Sequence, residues 1–219
     1  MTKKKLVFFV NTDWYFRLHW LDRAIAANNE NYEVHVLCNF RDDDVRKDLE
    51  SHGFVTHNSG LSEHSLNPIS FIRSLIKCFL LIKKINPHLI HTITIKPAII
   101  GGLTALMLSC PVVISFAGLG RVYNSSSILM KVIQKLSLLF YSIIVKNKKS
   151  LLLFEHAFDK EKFITLLGKF SNREKINSAV IDGAGIDVEK YPFTDEPKNK
   201  KTRVLFASRL LWSKGLGDL

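Results

Sequence analysis

The chain has 219 residues, 47% of them apolar and 23% charged, with 11 Gly and 6 Pro, which excludes a disordered, collagen-like or low-complexity protein and leaves room for one or two globular domains. Three widely spaced cysteines, Cys38, Cys78 and Cys110, form no CxxC pair, arguing against a disulfide scaffold and a cysteine-based zinc site and for a reducing, cytoplasmic setting. The formal net charge of +11 asks for a phosphate-bearing partner, whether nucleic acid, an anionic membrane or a phosphorylated small substrate; no helix carries the Arg/Asn/Gln reading face of a DNA-binding motif, which disfavours the first.

The apolar run 6–10 follows Lys3, Lys4 and Lys5 as a signal peptide would, but it is short and leads into Asn11-Thr12-Asp13-Trp14, so it reads as a first buried strand. Further Val/Ile/Leu-rich runs at 32–38, 54–57, 88–92, 111–115, 150–154 and 175–181 lack in/out alternation, as strands of a parallel sheet covered on both faces should. Helix-length segments lie between them at 14–28, 42–52, 68–85, 97–108, 126–146 and 159–170. Alternating strands and helices predict a doubly wound, mostly parallel, Rossmann-like α/β domain.

In 68–85, Ile69, Ile72, Leu75, Ile76, Phe79 and Ile82 follow 3.6-residue spacing behind Pro68, and this stripe is expected to pack on the sheet. The segment 126–146 is more apolar, its 136–145 stretch being far shorter than the ~20 residues a membrane span needs. Leu136, Leu138, Leu139, Phe140, Ile143 and Ile144 form either a core face or an interfacial face whose Lys146, Lys148 and Lys149 meet anionic headgroups. A polar, charged linker at 194–201 marks a boundary, giving one domain at 1–195 and a second, 196–219, that opens with a strand at 202–208 and has no remainder, so the chain reads as truncated.

In a doubly wound fold ligands bind beyond the carboxyl ends of the strands. The residues there are Asn11, Thr12, Asp13 and Arg17 after the first strand, Thr94 and Lys96 after the fourth, and Ala117, Gly118, Leu119, Gly120 and Arg121 after the fifth. Gly-Leu-Gly-Arg is either an anion-binding loop or a tight turn with a surface Arg. Asp13 is either a cleft carboxylate or a helix cap. There is no GxGxxG and no GxxxxGK[ST], so neither a dinucleotide fingerprint nor a P-loop is present, and Gly101-Gly102 reads as a packing contact inside a helix. The eight His include no HExxH, so no metal is expected, while His91, near a strand's carboxyl end, is placed to line the cleft. Arg209 and Lys214, directly after the last strand, put two cations at a helix start, an arrangement suited to a diphosphate.

Several strings in one order resemble the retaining glycosyltransferases of the two-domain GT-B fold, family 4, especially those that build lipopolysaccharide, O-antigen or capsule on a polyprenyl-diphosphate carrier. They are Phe16-Arg17, the stretch from His91 through Lys96-Pro97 to Gly101-Gly102, Gly118-Leu-Gly120-Arg-Val-Tyr123, Phe154-Glu-His-Ala-Phe-Asp159, Asp182-Gly183-Ala-Gly185-Ile-Asp187, and Ser208-Arg209 with Lys214-Gly215. The resemblance implies an acceptor-side first domain and the start of a donor-side second one. It implies a UDP-sugar donor and a polyprenyl-diphosphate-linked saccharide acceptor; no cofactor or metal is expected, and the interfacial reading of 126–149 would put the protein at the inner face of the plasma membrane as a peripheral protein. Arg209 and Lys214 would bind the donor diphosphate, and Arg17, Lys96 and Arg121 the acceptor's phosphate or hydroxyls; no catalytic residue is assigned. His156 stands where such enzymes usually carry Asn, and Ala117 where Thr or Ser is common. A non-catalytic chain and a UDP-sugar epimerase of the same architecture remain as alternatives.

Overall fold

The computed structural model describes residues 3–63, 65–181, 185, 188–195, 204–208 and 215–218. Residues 1–185 form one compact unit and 186–219 a second. In the first unit β1 (Lys4–Thr12), β2 (Tyr32–Asn39), β3 (Val55–Asn58), β4 (Leu89–Ile93), β5 (Val112–Phe116), β6 (Ser150–Phe154) and β7 (Ser178–Val180) make one sheet in the order β3-β2-β1-β4-β5-β6-β7. Every pairing is parallel. The helices are α1 (Asp13–His19), α2 (Leu21–Asn29), α3 (Asp43–Ser51), α4 (Pro68–Ile85), α5 (Ile95–Met107), α6 (Gly120–Asn124), α7 (Ile128–Ile144) and α8 (Ala157–Leu167). The doubly wound α/β fold expected from the apolar runs is therefore the fold observed.

Two cores sandwich the sheet. One joins Phe8, Val34 and Val36 to Phe16, Trp20, Val45 and Leu49 of α1, α2 and α3 and the α1–α2 junction; the other joins Val7, Phe9, Ile90 and Ile114 to α4, α5, α7 and α8. The glycine pair in α5 brings that helix close to its neighbours: a Cβ on Gly102 would stand 2.8 Å from Ile144 of α7, and one on Gly101 would collide with Thr92 of β4. This is the packing contact the sequence suggested.

Local signals set the helix ends. Asn67 caps α4 by accepting from the Ile69 N–H at 2.9 Å, Pro68 fills its first turn, and Asn86 ends it in the left-handed region at φ 54°. Asp42 caps α3 in the same way, accepting from the Asp44 N–H at 2.8 Å.

Four expectations need correction. The single helix expected over 14–28 is broken at Trp20, whose buried indole is directed at Phe8 and His91. The stripe expected to pack α4 on the sheet does so only in part: Ile82 is buried and Leu75 and Phe79 are half-buried, but Ile69, Ile72 and Ile76 are exposed, and Ser74, Cys78 and Ile85 complete the buried face. Apolar residues surround α4 almost completely, so periodicity alone does not choose between two overlapping faces. The Gly-Leu-Gly segment turns from β5 into the short helix α6, which the expected helix-length segments had not included. In the second unit, described by itself, residues 204–208 form no strand. Strand geometry persists only where a neighbour completes the ladder, and none of the described residues does so there.

Candidate functional site

The sheet order reverses direction at β1 and β4, so the carboxyl ends of these strands frame the crevice where a doubly wound fold takes its ligand. Beside it, between the carboxyl ends of β4 and β5, a cleft of ≈ 90 Å³ opens, lined by Tyr15, Thr94, Ser115, Phe116 and Gly118 among others. A neighbouring cavity of ≈ 60 Å³ shares Ser115 and adds Trp20, Arg23, His91 and Glu155.

Thr94 is the most distinctive residue of the cleft. It ends β4 and precedes α5 with φ 71° and ψ 158°, a combination that essentially only glycine adopts freely and that costs a β-branched residue on the order of 1–3 kcal/mol. Its Oγ1 is buried without a hydrogen-bond partner among the described residues, as are Asn11 Oδ1 and Thr12 Oγ1 at the end of β1. The first turn of α5 starts from Thr94, and its leading N–H groups have no intrahelical acceptor. Gly118 and Gly120, at φ 124° and 65°, hold the facing loop in conformations that any other residue would strain, and Leu119 between them is buried.

Behind the cleft, His91 lies between Phe8 and Trp20, with ring centroids 5.3 and 5.0 Å away, and its Nε2 is 2.7 Å from Ser115 Oγ. Burial first, and the Arg23 charge second, push its pKa down to about 3, so the ring is neutral at physiological pH. Arg23 lies 4.4 Å over the Trp20 ring and 3.8 Å from Glu155. Burial raises the Tyr15 hydroxyl's pKa, and the Glu155 carboxylate raises it further.

Among the residues singled out by sequence, Thr94, Ala117 and Gly118 line the first cavity and His91 the second. Others are engaged elsewhere. Asp13 is buried and accepts the backbone N–H groups of Arg41 (2.7 Å), Asp42 (3.0 Å) and Trp14 (2.8 Å), so it anchors the loop between β2 and α3; the cap position of α1 belongs to Thr12. Arg17 pairs with Asp48 of α3 at 3.0 Å. Lys96 donates to the carbonyls of Ser62, Glu63 and Ser65 at 2.6–2.8 Å, which uses all three ammonium protons on the segment between β3 and α4. Burial lowers its pKa, opposed by Glu63. Arg121 is exposed, with no hydrogen bond or ion pair among the described residues. Arg209 and Lys214 lie outside the described residues. Among the described residues no group of three His, Cys, Asp or Glu is placed to hold a metal.

Glu155 was legible, since it directly follows β6 as the strand-end rule requires. Tyr15, in the first turn of α1, and Arg23, in α2 beyond the break at Trp20, were passed over, because nothing in their local sequence separates them from ordinary helix residues. Nothing in the sequence marks Thr94 as strained.

A family model described as Glycosyl transferase 4-like matches residues 5–153. No curated protein matches the chain significantly in sequence. Among solved structures, HepE of Anabaena in complex with UDP aligns with a TM-score of 0.59 at 18% identity, over 87% of this chain and 46% of its own. A glycosyltransferase from Rickettsia africae aligns at 0.56 and 17%, over 82% and 43%. The UDP-N-acetylglucosamine 2-epimerase from Rickettsia bellii aligns at 0.52 and 10%, over 80% and 44%. The chain thus spans less than half the length of each, and at these identities what it shares with them is the fold.

Proposed function

We propose, from the premise that this chain belongs to the glycosyl transferase 4-like family, that it is the acceptor-side part of a GT-B sugar transferase. The reaction we assign to the whole enzyme moves a hexose or N-acetylhexosamine from a UDP-sugar, with retention, onto a polyprenyl-diphosphate-linked saccharide in lipopolysaccharide, O-antigen or capsule synthesis. It would work at the inner face of the plasma membrane, without a cofactor or metal. The observation that carries this reading is the cleft beside the β1–β4 crossover, where Thr94 brings strained backbone and an unpartnered hydroxyl to the lining and Gly118 faces it with positive φ.

The chemistry divides between two regions. Thr94 Oγ1 and the leading N–H groups of α5 provide donors for the hydroxyls of an acceptor sugar. Arg121 is the cation left to meet its diphosphate, since Arg17 and Lys96 are already engaged. On the donor side, Arg209 and Lys214 would neutralise the charge that develops on the departing UDP as its bond to the anomeric carbon breaks. His91, neutral and hydrogen-bonded to Ser115, holds the cleft floor rather than carrying charge. UDP in the HepE structure supports a uridine nucleotide donor. Because the chain spans less than half of such proteins, transfer by it alone should be negligible.

The test is equilibrium binding to the 219-residue chain of a short-chain polyprenyl-diphosphate N-acetylglucosamine and, separately, of UDP-sugars. We expect saturable binding of the lipid-linked saccharide. Binding of neither ligand would overturn the reading, and epimerisation of an added UDP-N-acetylglucosamine would replace it with the epimerase alternative, whose fold is also similar.

A further inference from the structure

The charge of this protein is not spread over its surface. Between Glu63 and Glu155 there is no Asp or Glu, and the same stretch carries 11 Lys and Arg; the other 20 basic residues balance the 20 acidic ones. One block, from the start of α4 to the end of β6, therefore accounts for the whole net charge of +11.

The exposed surface of that block has a particular pattern. Along α4, Ile69, Ile72, Ile76 and Leu80 form a solvent-facing stripe at helical spacing, and Arg73, Lys77 and Lys84 run beside it. Along α7, Leu129, Val132, Leu136, Leu139 and Ile143 form a second stripe, beside which Lys131 and Lys135 stand one turn apart. Each of these nine apolar side chains is 40–61% exposed. They are not the residues that hold the helices to the sheet: Cys78, Ile82 and Ile85 do that for α4, and Leu138, Tyr141 and Ile144 for α7. Both helices flank α5 on one face of the sheet, and Met107 at the end of α5 is exposed as well. Lys146 and Lys148 continue the basic border past the end of α7.

We infer that the outer faces of α4 and α7 form a two-helix surface that lies on an anionic lipid bilayer, with the apolar stripes in the acyl boundary and the flanking lysines and arginine on the headgroups. The core-or-interface choice that α7 posed in sequence thus has both answers, each on its own side of the helix. The charge pattern selects the occupant. A second copy of the same face would bring two pairs of helices that carry Lys and Arg but no Asp or Glu together, which is repulsive. A nucleic acid would leave the apolar stripes facing phosphate. A bilayer with anionic headgroups satisfies both parts of the pattern. Among the described residues no helix is long and apolar enough to cross a membrane, so the contact is lateral.

The inference deepens the lipid-linked-acceptor reading and rests on it for its purpose. In this parallel sheet both helices start at the carboxyl edge, where the cleft opens, so a bilayer under α4 and α7 brings a polyprenyl carrier to the cleft mouth.

The experiment is co-sedimentation of the 219-residue chain with vesicles of phosphatidylcholine alone and of equal parts phosphatidylglycerol and phosphatidylcholine, with sedimentation velocity run in parallel. Wild type should bind the anionic vesicles at least tenfold more tightly than the neutral ones, and high salt should weaken that binding. The double variants Ile76→Gln/Leu80→Gln and Leu136→Gln/Leu139→Gln change only exposed positions; each should keep the wild-type circular dichroism and lose at least tenfold in vesicle affinity. Lys77→Gln/Lys131→Gln/Lys135→Gln, which leaves the apolar stripes intact, should lose the preference for anionic vesicles. Equal binding to both vesicles, unchanged binding by the variants, or self-association that the apolar variants abolish in the absence of vesicle binding would overturn the inference. Binding of the short-chain acceptor without vesicle binding would sink this inference and spare the proposed function. Vesicle binding without acceptor binding would do the reverse.

Discussion

Thr92 and Thr94 stand two residues apart along β4 and its end, and their surroundings are opposite in kind. Thr92 is fully buried, its hydroxyl donates to the Val113 carbonyl at 3.3 Å, and its methyl occupies the space that Gly101 leaves empty. Thr94 has positive φ and a buried hydroxyl without a partner among the described residues. Around Thr92 the sheet is closely packed and the hydroxyl is paired, and the core's unpartnered polar atoms among the described residues are the Tyr141 hydroxyl and Trp20 Nε1; at Thr94 the carboxyl edge combines an unpartnered hydroxyl with backbone strain. Such a split places stability in one region and ligand chemistry in the other, and the two respond to mutation in different ways.

The largest effect should come from breaking the interior. Phe163 is fully buried, with its ring centroid 4.7 Å from Phe116 and 5.2 Å from Tyr141. Phe163→Ala is expected to cost about 3–5 kcal/mol in urea denaturation, the range for a large core truncation. A loss below about 1 kcal/mol would mean that the aromatic cluster does not carry the stability assigned to it.

Acid should act where interior and edge meet. Because burial holds His91 at a pKa of about 3 against 6.5 for a free imidazole, the unfolded chain takes up this proton first as pH falls. The contribution of neutral His91 is complete above pH 6.5 and is lost progressively between pH 6.5 and about 3. His57, lowered to about 4 by burial and then by the neighbouring His35 and Arg46 charges, adds a slope of the same sign. His91→Gln should flatten the pH dependence of stability measured by denaturant titration, and an unchanged slope would remove His91 as its source.

A smaller effect is expected at the edge itself. His156 is the N-cap residue of α8 and its side chain caps nothing. An Asn there can accept from the first-turn N–H groups, so His156→Asn should stabilise by about 0.5–1 kcal/mol. Equal or lower melting temperature would show that those N–H groups are already satisfied.

The same division explains what the sequence could reveal. Strands of a parallel sheet covered on both faces are apolar at most positions, so β1, β2, β4, β5 and β6 were visible as Val/Ile/Leu-rich runs without alternation, and Pro68 marked the start of α4. Orientation was less visible. With apolar residues on nearly all sides of α4, only the sheet decides which stripe is buried, and with Trp20 the fold breaks a helix that propensity would have continued. At the site, the strand-end rule reached Thr94 and Gly118, and it was not carried on to Glu155 after β6. It could not show that Lys96 is surrounded by carbonyls or that Asp13 holds a loop, because those partners come from distant segments.

The central claim is that the strain at the end of β4 serves ligand binding, and Thr94→Gly tests it most directly through two readouts on one protein. Glycine accepts φ 71° and ψ 158° without strain, which more than offsets its greater flexibility in the unfolded chain, so the melting transition should rise by the equivalent of about 1 kcal/mol. Removal of the hydroxyl should weaken binding of the polyprenyl-diphosphate-linked saccharide at least tenfold. Higher stability with weaker acceptor binding is the predicted result; a variant that is no more stable, or that binds the acceptor as tightly as wild type, would contradict it.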